Sequence, residues 1–390
     1  MVRHQGTPGH VPYSVSVVQM ALTHYNLPFY SALTSNCAGR VWIIAGPHFF
    51  GGSPASVVEA PGVNRLDTRN MFIGGQLAVQ WPLPGAVFSS DIAVLEFNPR
   101  ILSNLWILVR RKQRGRAVIL WGHGLSRRRN SPAWAPAVKT WMAQRADGLV
   151  FYSDKGKKDF SALGVPEEKL FVAYNSIDVE GIRRLAAESG TGGKDVLFIG
   201  RLVASKKVDL LVDGFARALK GIPSGTKLII IGDGPERSRL RARALELGCR
   251  ERVEFVGEVT EEWRLAPYFA RSAVSISPGP IGLSAIHSLA YGVPVLLADA
   301  EPHNPEVEVL SEGRNCVYFP AGDADALADR IKELLAQSER LSALGRRGVE
   351  DVTTRYSVRS MVSVFLECFE YVLLRSAGGR REARAGGGER

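Results

Sequence analysis

The sequence is poor in cysteine and lacks long apolar runs, and both absences narrow the classes of protein to consider. Its 390 residues include four cysteines, which lie far apart at Cys37, Cys249, Cys316 and Cys368. This spacing matches neither a metal site nor a disulfide framework, and it fits a reducing compartment. Because no run of eighteen apolar residues occurs, we expect no membrane-spanning helix. The first residues are polar where a signal peptide needs an apolar core, so a cytoplasmic protein is expected.

The charge is unevenly distributed along a chain whose composition is otherwise that of a globular protein. Hydrophobic residues make up 45% of the sequence, which supports buried cores, and 390 residues are enough for two domains. Residues 1–185 hold 21 basic and 11 acidic residues, whereas the remainder holds 28 of each. The net charge of +10 therefore comes from the first half. The basic residues form three clusters there: Arg110, Arg111, Lys112, Arg114 and Arg116; Arg127, Arg128 and Arg129; and Lys155, Lys157 and Lys158.

These basic clusters leave several partners open. A basic face attracts an anionic membrane, a phosphorylated acceptor or nucleic acid. A solvated face that only aids solubility explains the same charge equally well. Since the sequence shows no nucleic-acid recognition motif and no interleaving of basic and aromatic residues, we expect no nucleic-acid partner.

Strand-like and helix-like segments alternate through the first half, which predicts a parallel sheet with helices on both faces. Ligands of such sheets bind beyond the carboxyl ends of the strands. The predicted strands are residues 15–19, 40–45, 92–97, 117–122, 148–152 and 170–174, and the predicted helices are residues 98–111, 132–145 and 153–163.

Polar and aromatic residues follow three of these strand ends. The loop after the first strand contains Tyr25, Asn26 and Tyr30; Asn98 follows a later strand, and His123 lies between two glycines after the next. Each also fits ordinary loop chemistry, and Asn98, which precedes a proline, equally fits a plain helix cap. His123 between glycines is expected to be more exposed than a core histidine.

The stretch 273–299 contains the most informative pattern of the chain. Apolar runs at 273–277 and 293–298 predict strands, and between them a turn with Gly279 and Gly282 leads into a segment with helical spacing of apolar residues. A strand, a glycine turn and a helix N-terminus bring free N–H groups to one point, which suits a phosphate. An ordinary β-α-β unit without a ligand produces the same spacing.

Two cations precede this stretch. The polar segment 189–193 is a candidate linker, and a predicted strand at 195–200 is followed by Arg201 and Lys206. Cations are unfavourable at a helix start, and this mismatch favours a functional anion. Two cations at the mouth of a strand–helix turn neutralise a diphosphate well. Further strands are predicted at 227–232 and 252–257.

Together these segments resemble the retaining GT-B glycosyltransferases that carry two glutamates in an E-x7-E spacing. The Gly-Leu pair at 282–283 and the Ala-Tyr-Gly-Val-Pro-Val segment at 290–295 fit the frame of that family. The Gly-Arg-Leu segment at 200–202 with Lys206, and the Gly-Asp-Gly-Pro turn at 232–235, fit it as well. In this frame the first glutamate falls at Gly279 and the second at His287, so both family acids are replaced.

The resemblance implies a fold and a set of site residues. The implied fold is α/β of the GT-B type, with two Rossmann-like domains facing an interdomain cleft. His123, Arg201 and Lys206 are implied to be catalytic, the last two by stabilising the leaving diphosphate. The implied donor site, in which His287 meets the ribose, comprises Gly200, Arg201, Lys206, Gly257, Glu258, Gly279, Ile281, Gly282, Leu283, His287 and Glu306. The implied acceptor site comprises Tyr25, Asn26, Tyr30 and Asn98.

We predict an acceptor-binding domain at 1–188, a nucleotide-sugar-binding domain at 189–356, a helix at 357–375 that crosses back to the first domain, and a disordered tail at 376–390. Asp323 and Asp325 fit an Asp-x-Asp metal pattern. They open the predicted helix 324–335, however, where acids serve as caps and dipole partners, so no metal site is expected.

The implied reaction transfers a hexose from a nucleotide sugar to a saccharide acceptor with retention of configuration and without a metal or cofactor. The donor, a substrate, is linked to UDP or GDP. The basic first half and the usual role of such enzymes in polysaccharide assembly favour an acceptor linked to polyprenyl diphosphate and a peripheral place on the inner face of the membrane. A GT-B epimerase, an inverting transferase and an inactive partner subunit remain alternatives, the last because both acids are missing.

Overall fold

Two compact units make up the structure, a computed structural model that describes residues 13–52, 56–57, 59–125, 132–190 and 192–385, with side chains up to residue 376. The first unit comprises Met1–Tyr174 and Val358–Arg390, and the second comprises Asn175–Ser357. The second unit therefore interrupts the first in sequence.

The first unit is built on a parallel sheet and a separate hairpin. Its strands are β1 (Ser14–Gln19), β2 (Arg40–Ala45), β3 (Arg65–Asp67), β4 (Arg69–Ile73), β5 (Leu77–Trp81), β6 (Ile92–Glu96), β7 (Ala117–Gly122), β8 (Gly148–Phe151) and β9 (Leu170–Val172). The helices are α1 (Leu27–Asn36), α2 (Ala86–Ser89), α3 (Leu102–Gln113), α4 (Ala135–Arg145) and α5 (Asp154–Ser161). The seven-stranded sheet has the order β3-β2-β1-β6-β7-β8-β9, and β4 pairs with β5 in an antiparallel hairpin.

Both faces of this sheet are buried, which explains why its strands read as continuous apolar runs. Val17, Val94 and Ile119 belong to the core on one face, and Val18 and Leu95 belong to the core on the other. The alternation along each strand divides neighbouring residues between the two cores.

The second unit repeats the architecture with a six-stranded parallel sheet. Its strands are β10 (Asp195–Ile199), β11 (Leu228–Ile231), β12 (Val253–Gly257), β13 (Ser272–Ser277), β14 (Val295–Ala298) and β15 (Cys316–Phe319), in the order β12-β11-β10-β13-β14-β15. The helices are α6 (Val179–Ser189), α7 (Val208–Ala218), α8 (Arg237–Glu246), α9 (Glu262–Arg271), α10 (Ser284–Ala290), α11 (Ala324–Leu335) and α12 (Ser338–Arg355).

The boundary between the units differs from the prediction. The structure divides the chain after Tyr174, so α6 belongs to the second unit, where it packs against α9. The predicted linker 189–193 therefore lies inside this unit. Its Gly193 approaches α9 closely, since a Cβ there would lie 1.9 Å from the carbonyl carbon of Arg271. Glycine at this position reflects close packing instead of a flexible connection.

The last helix, α13 (Val358–Ala385), belongs to the first unit. Phe365 and Phe369 are fully buried in the core that contains Trp121, and the Phe365 and Trp121 rings lie 5.0 Å apart. The helix continues beyond the predicted end at residue 375, so residues 376–385 are helical and are not part of a disordered tail.

Each sheet has one place where the chain changes the direction in which it adds strands. In the first unit this point lies between β1 and β6, and in the second it lies between β10 and β13. The loops that leave two such neighbouring strands run to opposite sides of the sheet and open a crevice at its carboxyl edge. These two points are therefore where a ligand of each unit is expected.

Candidate functional site

Two loops meet at the switch point of the second sheet. Residues 200–207 follow β10 and residues 278–283 follow β13. Their backbones are in contact, since a Cβ on Gly279 would lie 2.5 Å from the carbonyl oxygen of Ser205. Gly279, where the resemblance places a glutamate, therefore has no room for any side chain, and its predicted donor contact is restricted to its backbone.

Lys206 also joins these two loops, because its Nζ donates a hydrogen bond to the carbonyl oxygen of Pro280. Burial lowers the pKa of Lys206, the Glu306 carboxylate opposes that shift, and the charge of Arg201 adds to it. The Arg201 side chain is exposed and makes no hydrogen bond or ion pair with the part of the chain that the structure describes. The structure thus brings the two predicted cations together and leaves one guanidinium free for an anion.

Glu306 is buried beside this pair. Asn175 donates to its Oε1 at 2.8 Å, whereas its Oε2 is buried without a partner among the described residues. Burial raises the pKa of Glu306, and the hydrogen bond from Asn175 and the charge of Lys206 oppose that shift. A Cβ on Gly282 would lie 3.9 Å from Oε2, so the unpaired oxygen lies near the glycine turn.

His303 supports the same turn, and the sequence did not single it out. Its Nδ1 accepts from the N–H of Ile281 at 3.1 Å, and its Nε2 lies 2.9 Å from the carbonyl oxygen of Ala298. Since Ile281 N–H can only donate, Nδ1 carries no proton and Nε2 does. Burial lowers the pKa of His303, which keeps the ring neutral in this position.

The backbone N–H groups of the glycine turn differ in whether they already have a hydrogen-bond acceptor. The N–H groups of Gly282 and Leu283, which precede α10, make no hydrogen bond within the described residues. Ile281, by contrast, is buried, and its N–H is bound to His303. Its carbonyl oxygen accepts from Asn304 N at 3.0 Å. Ile281 therefore anchors the turn, and the predicted donor contact falls to Gly282 and Leu283.

His287, predicted at the ribose, is paired within the protein. Its Nε2 lies 2.9 Å from Oε2 of Glu262 at the start of α9, and the Tyr291 hydroxyl donates to the same oxygen at 3.2 Å. Phe269 stacks on Tyr291 with ring centroids 4.2 Å apart. The carboxylate next to His287 thus comes from Glu262, a residue that no sequence motif marked.

Backbone hydrogen bonds of glycines join the carboxyl ends of β10, β11 and β12. Gly200 N donates to Ile231 O at 3.0 Å, and Gly232 N donates to Gly257 O at 2.7 Å. Arg237 lies nearby, 3.7 Å from where a Cβ on Gly257 would be, and its Nε is buried without a partner among the described residues. Arg237, whose Nη1 is paired with Asp233 at 2.6 Å, is therefore a further cation at this edge, and Glu258, which follows Gly257, is exposed.

In the first unit, His123 follows β7 and is exposed, as its flanking glycines indicated. Its ring contacts Tyr152, with centroids 4.9 Å apart. Lys139 is buried beneath this loop, and its Nζ donates to the carbonyl oxygens of His123 and Gly124 at 2.6 and 2.7 Å. Burial lowers the pKa of Lys139 to about 7.

The predicted acceptor residues lie at two neighbouring strand ends. Tyr25 and Asn26 are partly exposed after β1, whereas Tyr30 is fully buried in α1. Asn98 follows β6, and its Oδ1 accepts from Arg100 N at 3.1 Å. It organises the turn before α3, which begins at Leu102 instead of residue 98. The structure brings these residues to the switch point of the first sheet.

The basic clusters are only partly available to a partner. Arg111 is fully buried and donates to the backbone oxygens of Val87, Ser90, Asp91 and Ala117. Lys112 is paired with Asp147 at 2.6 Å, while Arg110 and Arg114 are exposed. The cluster 127–129 lies outside the described residues. Arg111 therefore stabilises the fold and does not contribute to a basic surface.

The described residues were searched for metal-binding groups and for membrane-spanning helices. Within the described ranges, no group of three His, Cys, Asp or Glu side chains is placed to hold a metal ion. Asp323 instead caps α11, accepting from the N–H groups of Asp325 and Ala326 at 2.9 Å. No helix in the described part of the chain is long and apolar enough to span a bilayer.

Comparisons with known proteins relate this geometry to a family. Residues 193–337, which lie within the second unit, match the family model described as glycosyl transferases group 1. An exopolysaccharide phosphotransferase of Streptomyces coelicolor is 31% identical over 249 residues, which cover 62% of this chain and 25% of the relative. A lipopolysaccharide core biosynthesis glycosyltransferase of Rhizobium meliloti is 28% identical over 194 residues, which cover 48% of this chain and 53% of the relative. The chain thus spans a quarter to about half of these relatives.

A solved structure extends the likeness to both units. The crystal structure of Anabaena HepE in complex with UDP has a TM-score of 0.68 to this chain at 17% identity, covering 92% of this chain and 99% of HepE. At this identity the likeness establishes the fold. The second unit thus matches glycosyl transferases group 1 along residues 193–337, and the chain as a whole has the two Rossmann-like units of the GT-B fold.

Proposed function

We propose that this protein is a glycosyltransferase that moves a hexose from a UDP- or GDP-linked donor to a saccharide acceptor with retention of anomeric configuration. The observation that carries the proposal is the pair Arg201 and Lys206 next to the glycine turn 279–283 at the switch point of the second sheet. Cations and unpaired N–H groups at one point favour a diphosphate over a neutral ligand. The family match of residues 193–337 and the UDP bound by HepE support the same assignment.

In the proposed reaction, the bond between the anomeric carbon and the diphosphate oxygen breaks, and negative charge develops on that oxygen. Arg201 supplies a free guanidinium and Lys206 a point charge to stabilise it, with the N–H groups of Gly282 and Leu283. The acceptor hydroxyl attacks from the same face, forms the new glycosidic bond and passes its proton to the departing diphosphate. Because protein cations balance the charge, the step requires no metal.

The missing family acids do not remove every carboxylate from this site. Glu306 places an unpaired oxygen near Gly282, and Glu262 contributes a carboxylate that is paired with His287. We assign Glu306 to the donor side as a nucleotide-binding acid, and we assign His123, held by Lys139, to the reaction centre. An inactive partner subunit would have no need to keep the cation pair and these acids together.

For the acceptor we propose a saccharide carried on a lipid, with polyprenyl diphosphate as the carrier. The Rhizobium relative is named for lipopolysaccharide core biosynthesis, which supports a glycan of the cell envelope. Exposed Arg110 and Arg114 in the first unit support a peripheral place on the inner face of the membrane.

The test is to incubate the protein with a panel of UDP- and GDP-sugars and measure free nucleotide diphosphate, for wild type, Lys206→Ala and Lys220→Ala. Lys220 is an exposed lysine after α7 and serves as the matched control. We expect Lys206→Ala to lower turnover by about 10²–10³ with an unchanged circular dichroism spectrum. Wild-type rates in that variant would remove the leaving-group assignment. No binding or release with any donor would indicate an inactive subunit, and interconverted donor sugars would indicate an epimerase.

A further inference from the structure

The segment that follows β14 holds the glycine turn 279–283 through both backbone groups of Ile281. Nδ1 of His303 accepts from Ile281 N at 3.1 Å, and Asn304 N donates to Ile281 O at 3.0 Å. His303 is itself fixed, because its Nε2 donates to Ala298 O at 2.9 Å. The turn and this segment therefore form one hydrogen-bonded unit, and we expect a change at His303 to affect both.

An ion pair extends this unit to the loop that follows β10. Lys207 is paired with Oε1 of Glu301, whose side chain is only 6% exposed. Lys207 has a φ of 52°, a left-handed conformation that costs energy in a residue other than glycine and persists where neighbouring contacts hold it. Lys206, the residue before it, is one of the two cations of the proposed site. The segment after β14 therefore holds both loops that form the proposed diphosphate site.

The side-chain amide of Asn304 lies against the same turn. A Cβ on Gly282 would lie 2.9 Å from Nδ2 of this amide. The amide makes no hydrogen bond with the part of the chain that the structure describes, and its atoms are not among the fully enclosed ones that lack a partner. The residue as a whole is partly exposed. Asn304 therefore offers an open hydrogen-bonding group beside Gly282, whose own N–H is also unpaired within the described residues.

The charges around Asn304 indicate which ligand group this amide binds. Arg201 and Lys206 bring positive charge to the same turn, and the N–H groups of Gly282 and Leu283 provide hydrogen-bond donors. An amide NH2 adds two N–H donors without a charge, whereas a carboxylate of nearly the same shape only accepts hydrogen bonds. A set of donors and cations that converge on one point complements the oxygens of a phosphate.

We propose that Asn304 binds the diphosphate of the nucleotide sugar, with Nδ2 donating to a phosphate oxygen, and that His303 is the positioning residue that holds Asn304 and the glycine turn together. The inference rests on the proposed function, because its ligand is the diphosphate of the proposed donor. It adds a binding residue that no sequence motif marks. The contact is made in the bound nucleotide and needs no acceptor, so binding is measurable separately from transfer.

The test is to titrate UDP and GDP into wild type, Asn304→Ala and Asn304→Asp and to measure each Kd by isothermal titration calorimetry. We expect the nucleotide that wild type binds to bind about tenfold more weakly to Asn304→Ala, which lacks the donor. Asn304→Asp should weaken binding at least about tenfold further, because a carboxylate repels the diphosphate. Gln337→Glu is the charge-matched control, because Gln337 is an exposed amide immediately before α12, and it should bind the nucleotide as wild type does.

The role of His303 is tested by rescue. His303→Ala should weaken nucleotide binding about tenfold, and His303→Gln, whose amide can accept from Ile281 N and donate to Ala298 O, should restore most of the affinity. The two alanine changes combined should cost less than the product of their single losses, because both act through one contact. Equal losses of affinity and of melting temperature in His303→Ala and His303→Gln would show a structural role and refute the positioning.

The remaining outcomes separate this inference from the proposed function. Wild-type affinity in Asn304→Asp, or equal losses in Asn304→Asp and Asn304→Ala, would overturn the phosphate contact even if the protein transfers sugar. Binding that depends on Asn304, without transfer from any donor, would retain the binding residue and reject the transferase. A wild-type protein that binds neither UDP nor GDP would overturn both.

Discussion

Gly279 and Lys206 are packed backbone to backbone, since a Cβ on Gly279 would lie 2.9 Å from the carbonyl oxygen of Lys206. The side chain of Lys206 reaches back to Pro280 O. The two loops that provide the proposed diphosphate site are therefore linked by close packing and by a hydrogen bond. We therefore expect a side chain at Gly279 to displace both loops.

A glutamate at position 279, where the resemblance places one, should not raise the activity of this protein. Gly279→Glu forces a Cβ to within 2.5 Å of Ser205 O, so the loops must separate. We expect both Gly279→Glu and Gly279→Ala to lower the melting temperature, with a loss of about 1–3 kcal/mol, and to lower nucleotide release. Gly85→Ala is the control, because a Cβ there meets nothing within 4 Å. Higher turnover in Gly279→Glu would contradict this account of the turn.

His303 should make the second unit sensitive to acid. The ring is held neutral with its pKa lowered from 6.5, so below about pH 6.5 the unfolded chain binds a proton that the folded chain does not. Stability therefore falls as the pH falls through this range. Chemical denaturation at several pH values should show this loss in wild type and a smaller loss in His303→Gln, whose amide can both accept and donate. An identical pH profile in the two proteins would show that the ring does not titrate as inferred.

The buried carboxyl of Glu96 should make folding stability depend on pH in the sense opposite to that of His303. Burial raises its pKa from 4.5 to about 7, so the folded protein holds a proton between these values that the unfolded chain has lost. Stability therefore falls as the pH rises from about 4.5 to 7, by about 3 kcal/mol at ~1.4 kcal/mol per pKa unit. Glu96→Gln, which cannot ionise, should become more stable relative to wild type across this window. The free energy of unfolding of both proteins in urea measures the difference, and a constant gap would disprove the shift.

Lys139 should be important for the His123 loop. Lys139→Met removes the hydrogen bonds to the carbonyl oxygens of His123 and Gly124 and the contact of the ammonium with the Phe97 ring at 4.5 Å. We expect a loss of about 2–4 kcal/mol of stability and slower transfer, because His123 loses its fixed backbone. Lys158→Met, at an exposed position of α5, is the comparison and should change neither. A Lys139 variant as stable as wild type would show that the loop is held by other contacts.

Local sequence patterns predicted much of the fold, because buried positions recur at a fixed period along a strand or a helix. The strands Arg40–Ala45 and Ala117–Gly122 and the helix Ala324–Leu335 have the bounds that their apolar spacing indicated. The hairpin of β4 and β5 was not predicted. Its alternation is weak, since Met71, Ile73 and Trp81 are apolar side chains exposed to solvent.

The site was only partly predictable, because pairing across the fold leaves no local signal. The positions of Arg201 and Lys206 followed from their conflict with the helix dipole. Glu262 lies 25 residues from His287 in sequence and bonds to it only in three dimensions. Arg111 belonged to a basic run in sequence, yet it alone of that run is buried, which charge counting does not reveal.

The position of α13 at the end of the described chain has a consequence for biosynthesis. The first unit needs Phe365 and Phe369 to complete the core around Trp121, and these residues are translated after the whole second unit. The second unit can therefore fold on the ribosome while the first still exposes an apolar groove, so the half that begins first is finished last. We expect the nascent protein to be most exposed to aggregation during that interval.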